Sequence, residues 1–138
     1  MNDEIGEQPA NALDARGHKI GLWRQADPHG GESVGTYRRD RREGLWRHYF
    51  RDGTLRSEAN YRDGELDGPC VWYRAGGGLL QKGSFDKGQK SGLWERWSPE
   101  GNLIDRGDRV GGKKIGEWQY FAADGSVERT TNHRPHRG

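Results

Sequence analysis

The side chains best suited to chemistry are seven arginines in one short stretch: Arg38, Arg39, Arg41, Arg42, Arg47, Arg51 and Arg56. They stand against Asp40, Glu43 and Asp52 and are interleaved with Trp46, Tyr49 and Phe50. Guanidinium groups grip phosphates and aromatic rings stack on bases, so the stretch suits a nucleic acid. Arginine is equally favoured against an acidic patch on a protein. Mixed charges across paired strands also serve simply to keep a sheet face solvated. All three uses stand open at this point.

The other reactive residue types lack partners. His18, His29, His48, His133 and His136 have neither the spacing nor the convergent carboxylates or cysteines of a metal site, so no metal and no cofactor is expected. Cys70, the single cysteine, excludes an intramolecular disulfide and has no activating base nearby in sequence; it reads as a small packing residue. Gly76-Gly77-Gly78 followed by Gly83-Ser84 faintly resembles a phosphate loop. The lysine before the serine is missing, and strand-like sequence flanks it where a helix should begin. The acids fall at turns, and no pair suggests an acid–base couple. The chain is expected not to be an enzyme.

These residues are carried on 138 positions, of which 30% are hydrophobic, 32% charged and 23 glycine. A mean hydropathy of −1.19 would ordinarily go with disorder. Six tryptophans are the opposite of a disordered composition. Basic and acidic residues nearly balance, 23 against 21, for a net charge of +2. That excludes an acidic nucleic-acid mimic and gives little support to a strongly basic binder. No apolar run reaches the length of a membrane span or a signal-peptide core, so a cytoplasmic location is expected.

The elements that position these residues come from a repeat. Gly21, Gly44, Gly68, Gly92 and Gly116 recur at steps of 23, 24, 24 and 24 residues. Two positions after each stand Trp23, Trp46, Cys70, Trp94 and Trp118. Nine positions after each stand Gly30, Gly53, Gly77, Gly101 and Gly125, and four before stand Gly17, Asp40, Gly64, Gly88 and Gly112. Five positions after, Tyr49, Tyr73, Trp97 and Phe121 are aromatic, with Ala26 the exception.

Each unit reads as a β-hairpin. Leu45 to Phe50 is an aromatic strand, Asp52-Gly53 a turn, and Leu55 to Tyr61 a return strand alternating Leu55, Ser57, Ala59 and Tyr61 with the polar Arg56, Glu58 and Asn60. Arg62-Asp63-Gly64 then turns into the next unit. One hairpin cannot fold alone, so neighbours must stack. A tryptophan two residues from a strand glycine suggests that the missing side chain makes room for a ring from the adjacent hairpin. Trp94 and Trp97, three apart, point to opposite faces. One side is therefore expected to be the core and the other to expose an aromatic patch; the spacing does not say which is which.

The expected fold is all-β: about five tandem hairpins of 23–24 residues in one elongated, twisted antiparallel sheet over residues 17–129. A mobile acidic segment, 1–16, precedes it and a basic tail, 130–138, follows.

With Tyr61-x-x-Gly64-x-x-x-Gly68 and Phe85-x-x-Gly88-x-x-x-Gly92-x-Trp94 in view, the chain resembles the MORN repeat family. The tryptophans at 23, 46, 94 and 118, where the original unit normally carries glycine, resemble the bacterial MORN-variant repeat. The likeness covers about residues 17–129; Cys70, Arg109 in the Tyr61/Phe85 slot and Asp40 depart from it. Proteins built mainly of that variant are often grouped with the YwqK-type antitoxins. The resemblance thus implies a non-catalytic immunity or antitoxin protein that binds one cognate toxin, encoded beside it, and occludes its active site or substrate groove. A scaffold on a membrane surface, or a nucleic-acid-binding sheet, are the alternatives; the net charge of +2 gives only weak attraction to anionic lipid. Partner-binding residues are expected at Arg38, Arg39, Arg41, Arg42, Arg47, Tyr49, Arg51, Tyr73 and Trp97. Trp23, Trp46, Trp94, Trp118, Gly44, Gly68, Gly92 and Gly116 are expected to build the repeat.

Overall fold

A computed structural model describes residues 10–134. The strands are β1 (Ala12–Leu13), β2 (Lys19–Ala26), β3 (Glu32–Arg38), β4 (Arg41–Tyr49), β5 (Leu55–Arg62), β6 (Glu65–Tyr73), β7 (Leu79–Asp86), β8 (Gln89–Trp97), β9 (Leu103–Val110), β10 (Lys113–Phe121) and β11 (Val127–His133). They form one open antiparallel sheet in chain order, each strand bonded only to its sequence neighbours. The five hairpins β2–β3 to β10–β11 are the five repeats. No helix among the described residues is long and apolar enough to cross a membrane.

Two kinds of turn set the repeat length. Within a unit, Phe50 N–H donates to Thr54 O at 2.8 Å and Gly53 N–H to Phe50 O at 2.9 Å, and the same pair of bonds recurs at Asp27, Arg74, Ser98 and Ala122. Gly53 has φ +90°, the left-handed residue that a bulged hairpin loop requires. Between units the turns are Arg39-Asp40, Asp63-Gly64, Lys87-Gly88 and Gly111-Gly112, with positive φ at both residues, as a two-residue hairpin of matching twist demands. The second residue of each reaches back to the preceding unit. Asp40 N–H donates to Lys19 O at 3.0 Å, Gly64 to Arg42, Gly88 to Leu66 and Gly112 to Lys90. Asp40 tolerates the glycine slot because Asp enters the left-handed region more readily than most residues, and its Oδ1 accepts from Lys19 N–H at 2.7 Å.

The core is one layer of side chains on one face. Trp46, Trp94 and Trp118 are 0%, 3% and 2% exposed. Each indole lies flat on the strand before its own, over Gly35, Gly83 and Gly107, where a methyl group would overlap the ring. Each Nε1 then donates to a carbonyl of that strand: Trp46 to Thr36 at 3.0 Å, Trp94 to Ser84 at 3.2 Å, Trp118 to Asp108 at 2.9 Å. Tyr37 meets Trp46 edge-on at 4.9 Å and Phe85 meets Trp94 at 5.3 Å. A cation covers the outer side: Arg42 over Trp46 at 4.4 Å, Lys90 over Trp94 at 4.7 Å, Lys114 over Trp118 at 4.6 Å. Aliphatic stems and a weakly demanding cation–ring contact thus stand in for a second layer.

This corrects one expectation. The glycines that make room for the rings are Gly35, Gly83 and Gly107, not those two residues before each tryptophan. Gly44, Gly92 and Gly116 have nothing within 4 Å of a built side chain and φ of +72°, +74° and +66°. They are bulge residues. The ladder passes from Val34↔Arg47 to Thr36↔Glu43, so Gly35 alone faces Gly44, Leu45 and Trp46.

The third unit shows the same steric rule in reverse. Ala59 holds the slot of Gly35, Gly83 and Gly107, and beside it the tryptophan position is Cys70. Trp72, next along that face, packs instead against Phe85 at 6.3 Å and Trp94 at 5.9 Å.

The array also reaches past its expected limits. Within the 1–16 segment, Ala12 and Leu13 pair with β2, because the first indole needs a strand beneath it: Trp23 Nε1 donates to Ala12 O at 3.1 Å. Asn11 extends that ladder with its side-chain amide, which brackets Arg24. At the other end β11 continues to His133, inside the 130–138 tail, since backbone pairing with β10 needs no aromatic. Residues 1–9, part of the segment expected to be mobile, and 135–138 of the basic tail lie outside the described residues.

Candidate functional site

The register of the sheet aligns two lines of side chains across the tryptophan face. The first is architectural: Trp23, Gly35, Trp46, Ala59, Cys70, Gly83, Trp94, Gly107, Trp118 and Thr131, one per strand from β2 to β11. Two residues along each strand, and so on the same face, runs the second. It reads Gln25, Ser33, His48, Ser57, Trp72, Gln81, Arg96, Asp105, Tyr120 and Arg129, each the register partner of the next. The first line is nearly uniform. The second changes character in every unit, from amide to imidazole, indole, guanidinium and phenol.

Several members of the second line are held rigidly. Asp105, 4% exposed, takes Arg96 in a fork: Nη2 to Oδ2 at 2.7 Å and Nε to both oxygens at 3.1 and 3.2 Å. At the other end Asp27, 7% exposed, gathers four groups. Its Oδ2 accepts from Ser33 Oγ at 2.7 Å, His48 Nδ1 at 3.0 Å and Arg56 Nη2 at 2.8 Å, and its Oδ1 from the His29 N–H at 2.9 Å. Burial alone would raise this carboxyl, but those donors outweigh it and hold Asp27 well below the usual carboxylate range. Burial also lowers His48, with the carboxylate of Asp27 opposing.

A serine, a histidine and an aspartate therefore meet here, though not as a nucleophilic relay. That relay needs the serine on one ring nitrogen and the carboxylate on the other. Here Ser33 at 2.8 Å and Asp27 at 3.0 Å share Nδ1 of His48, and the Ser33 hydroxyl donates to the carboxylate. The arrangement fixes the imidazole and the Arg56 guanidinium in place.

Two depressions open along these lines. One, of about 370 Å³, lies over β5 and is lined by Arg42, His48, Ala59, Tyr61, Leu66 and Trp72, among others. The other, of about 270 Å³, lies over β9 between Lys90, Arg109 and Lys114, with the Arg96–Asp105 fork at one end. Burial, and then the guanidinium groups of Arg109 and Arg96, pull the Lys90 ammonium below its usual range.

The arginine stretch is not one patch. Arg38, Arg39 and Arg41 are exposed around the β3–β4 turn, and Arg51 is exposed at the β4–β5 turn on the opposite edge. Arg42 lies on Trp46; Arg47 is on the other face, paired with Glu58 at 2.7 Å. Tyr49, Tyr73 and Trp97 are half-buried at strand ends, opposite Leu55, Leu79 and Leu103. The expected exposed aromatic patch is thus absent among the described residues. Exposed apolar surface is supplied instead by Leu22, Leu45 and Leu93, one position after the bulge glycines, at 47%, 41% and 50%. Sequence reasoning missed the second line, although one signal was available: the position four after each bulge glycine holds a different residue in every unit.

The molecule is an open sheet of tandem hairpins with one furrowed, indole-lined face. The MORN repeat variant matches residues 42–63, from β4 into the β5–β6 turn. No curated protein matches the chain.

Proposed function

We propose that the chain is a non-catalytic repeat scaffold that binds one protein partner on its tryptophan face, as an immunity or antitoxin protein blocking a cognate toxin. One observation carries this reading: a line of ten side chains, forming a different opposed pair in every unit, runs beside a nearly uniform architectural line. A uniform ladder suits a uniform ligand. A ladder varied at one row suits an irregular protein surface. The forked Arg96 and the clamped His48 and Arg56 are ordered before binding, which lowers the entropy lost on association. Arginine and aromatic side chains in the row are the residue types that dominate protein interfaces.

Mechanistically, the face would cover the toxin's active site or substrate groove, with Trp72, Arg96 and Tyr120 as anchors. The test is growth of cells expressing the protein encoded beside this chain, with and without the chain. Rescue by the native chain, lost in Arg96→Glu, supports the reading; equal growth in both cases sinks it.

A further inference from the structure

We infer that the depression over Ala59 is a receptor for a planar aromatic side chain of the protein partner, carried next to an acidic residue. The inference rests on the partner-binding reading above and adds the chemistry of one contact.

One furrow differs from its neighbour. Around Trp46, Gly35 forms the floor, Tyr37 the side and Arg42 the cover. One unit on, the same slots hold Ala59, Tyr61 and Leu66, and these three line the open depression of about 370 Å³. Cys70, in the tryptophan slot, does not reach out as an indole does; it and Ala59 are 3% and 5% exposed, and the depression opens above them between Tyr61, Leu66 and Trp72. Trp72 forms a wall, its ring engaged with Phe85 and Trp94. Tyr61 and Trp72 thus offer aromatic faces and edges around an apolar floor, the setting in which another ring binds best.

The cover differs as well. Leu66 replaces the cation found at Lys19, Arg42, Lys90 and Lys114, so the apolar mouth is not closed by a charge of its own unit. Cations stand at the rim instead. Arg42 donates to Tyr61 Oη at 3.2 Å, and Arg56, held by Asp27, leaves about a quarter of its side chain exposed there, 24%. A carboxylate beside the incoming ring would meet that exposed positive charge, and Arg–carboxylate pairing would set the orientation.

The test uses the full chain with labelled backbone amides and three probes: acetyl-Glu-Trp-Glu-amide, acetyl-Glu-Ala-Glu-amide and adenosine monophosphate. The expected result is saturable shifts at Ala59, Tyr61, Leu66 and Trp72 with the tryptophan peptide, and affinity for the alanine peptide weaker by about tenfold or more. In the paired variant Ala59→Gly, Cys70→Trp, which supplies an indole of its own, those shifts should vanish. Should that variant not fold, Ala59→Leu fills the depression from its floor and should abolish them equally. Equal affinity for the two peptides, shifts elsewhere on the sheet, or undiminished binding in the filled variant would overturn the inference, as would tighter binding of the nucleotide. A toxin partner captured equally by native and filled chains would refute the receptor while leaving the scaffold reading intact. Peptide binding without any rescue of growth would do the reverse.

Discussion

Gly83→Ala should be among the most damaging single-methyl additions in the molecule. Gly83 has no positive φ, so alanine fits its backbone, and the whole effect comes from a methyl that overlaps the Trp94 indole. Trp94 is 3% exposed. Full ejection of the ring would forfeit ~150–250 Å² of burial at about 25 cal/mol/Å², or about 4–6 kcal/mol. Overpacking with partial adjustment costs about 1–3 kcal/mol. An outcome between them, about 2–4 kcal/mol, is expected. Trp94→Cys alone should cost about 3–5 kcal/mol. Once the ring is gone the methyl has room, so the double variant should cost no more than Trp94→Cys by itself. That is a coupling of about 2–4 kcal/mol, and it reproduces the Ala59–Cys70 pair already present one unit earlier. Urea unfolding followed by far-ultraviolet circular dichroism measures the four corners, with equal m-values as the condition for comparison. Gly92→Ala is the control: its φ of +74° makes alanine cost about 1–2 kcal/mol, with no coupling to Trp94. Additivity of Gly83→Ala and Trp94→Cys within about 0.5 kcal/mol would refute the steric pairing.

Acid should lower the stability of the chain in two steps. His48 and Asp27 both hold protons more weakly when folded, so the unfolded chain takes up more as pH falls; stability is greatest above the ordinary histidine value of 6.5, declines below it, and declines again below the ordinary aspartate value of 3.8. His48→Gln should remove the first decline and Asp27→Asn shrink the second, leaving the share due to Asp14, Asp52 and Asp124 in their turns; identical pH–stability curves would refute the assignment. Burial pushes the Cys70 thiol up, so a disulfide reagent should modify it only at the rate of global unfolding, and labelling of the native chain as fast as a free thiol would contradict the packing described. Arg96→Ala should cost about 2–4 kcal/mol because it leaves the buried Asp105 carboxylate without its forked partner, whereas Arg47→Ala, from the more exposed pair with Glu58, should cost under about 1 kcal/mol; equal losses by urea unfolding would count against this ranking.

The period, the hairpins and both turn types were legible because each is local: a glycine at a left-handed turn position leaves its mark within a few residues. Which glycine receives the indole was not. Each complete unit carries one glycine two residues before the tryptophan, and a small residue stands eleven before it, on the previous strand. Only cross-strand register, shifted by the bulge, tells them apart. The arginine stretch misled for a related reason. Consecutive residues of a strand face opposite ways, and the two turns that flank β4 lie on opposite edges, so Arg39, Arg42, Arg47 and Arg51 reach four different surroundings. The Asp27 cluster was hidden by distance along the chain, since His48 and Arg56 lie 21 and 29 residues away.

The residue beneath the indole also differs on the last described strand. Along the architectural line it reads Gly35, Ala59, Gly83, Gly107 and Thr131. The residue that would cover each reads Trp46, Cys70, Trp94 and Trp118, and after β11 no further strand follows among the described residues. Side-chain size at the slot therefore tracks the absence of a ring above it: none under tryptophan, a methyl beside cysteine, a branched polar side chain where no further strand is described. Thr131 has no strand beyond it among the described residues, and its hydroxyl meets His133 Nε2 at 2.8 Å. β11 is otherwise polar, reading Val-Glu-Arg-Thr-Thr-Asn-His, as an open edge should be. It follows that a copy of residues 89–112 joined through a two-residue turn after His133 should dock as a sixth hairpin only when Thr131 is changed to glycine. Amide exchange reads the result directly: protection of the added strands in the Thr131→Gly chain and its absence with threonine retained. Equal protection in both would mean that the slot tolerates a side chain under the ring, and the steric rule for the whole array would fall with it.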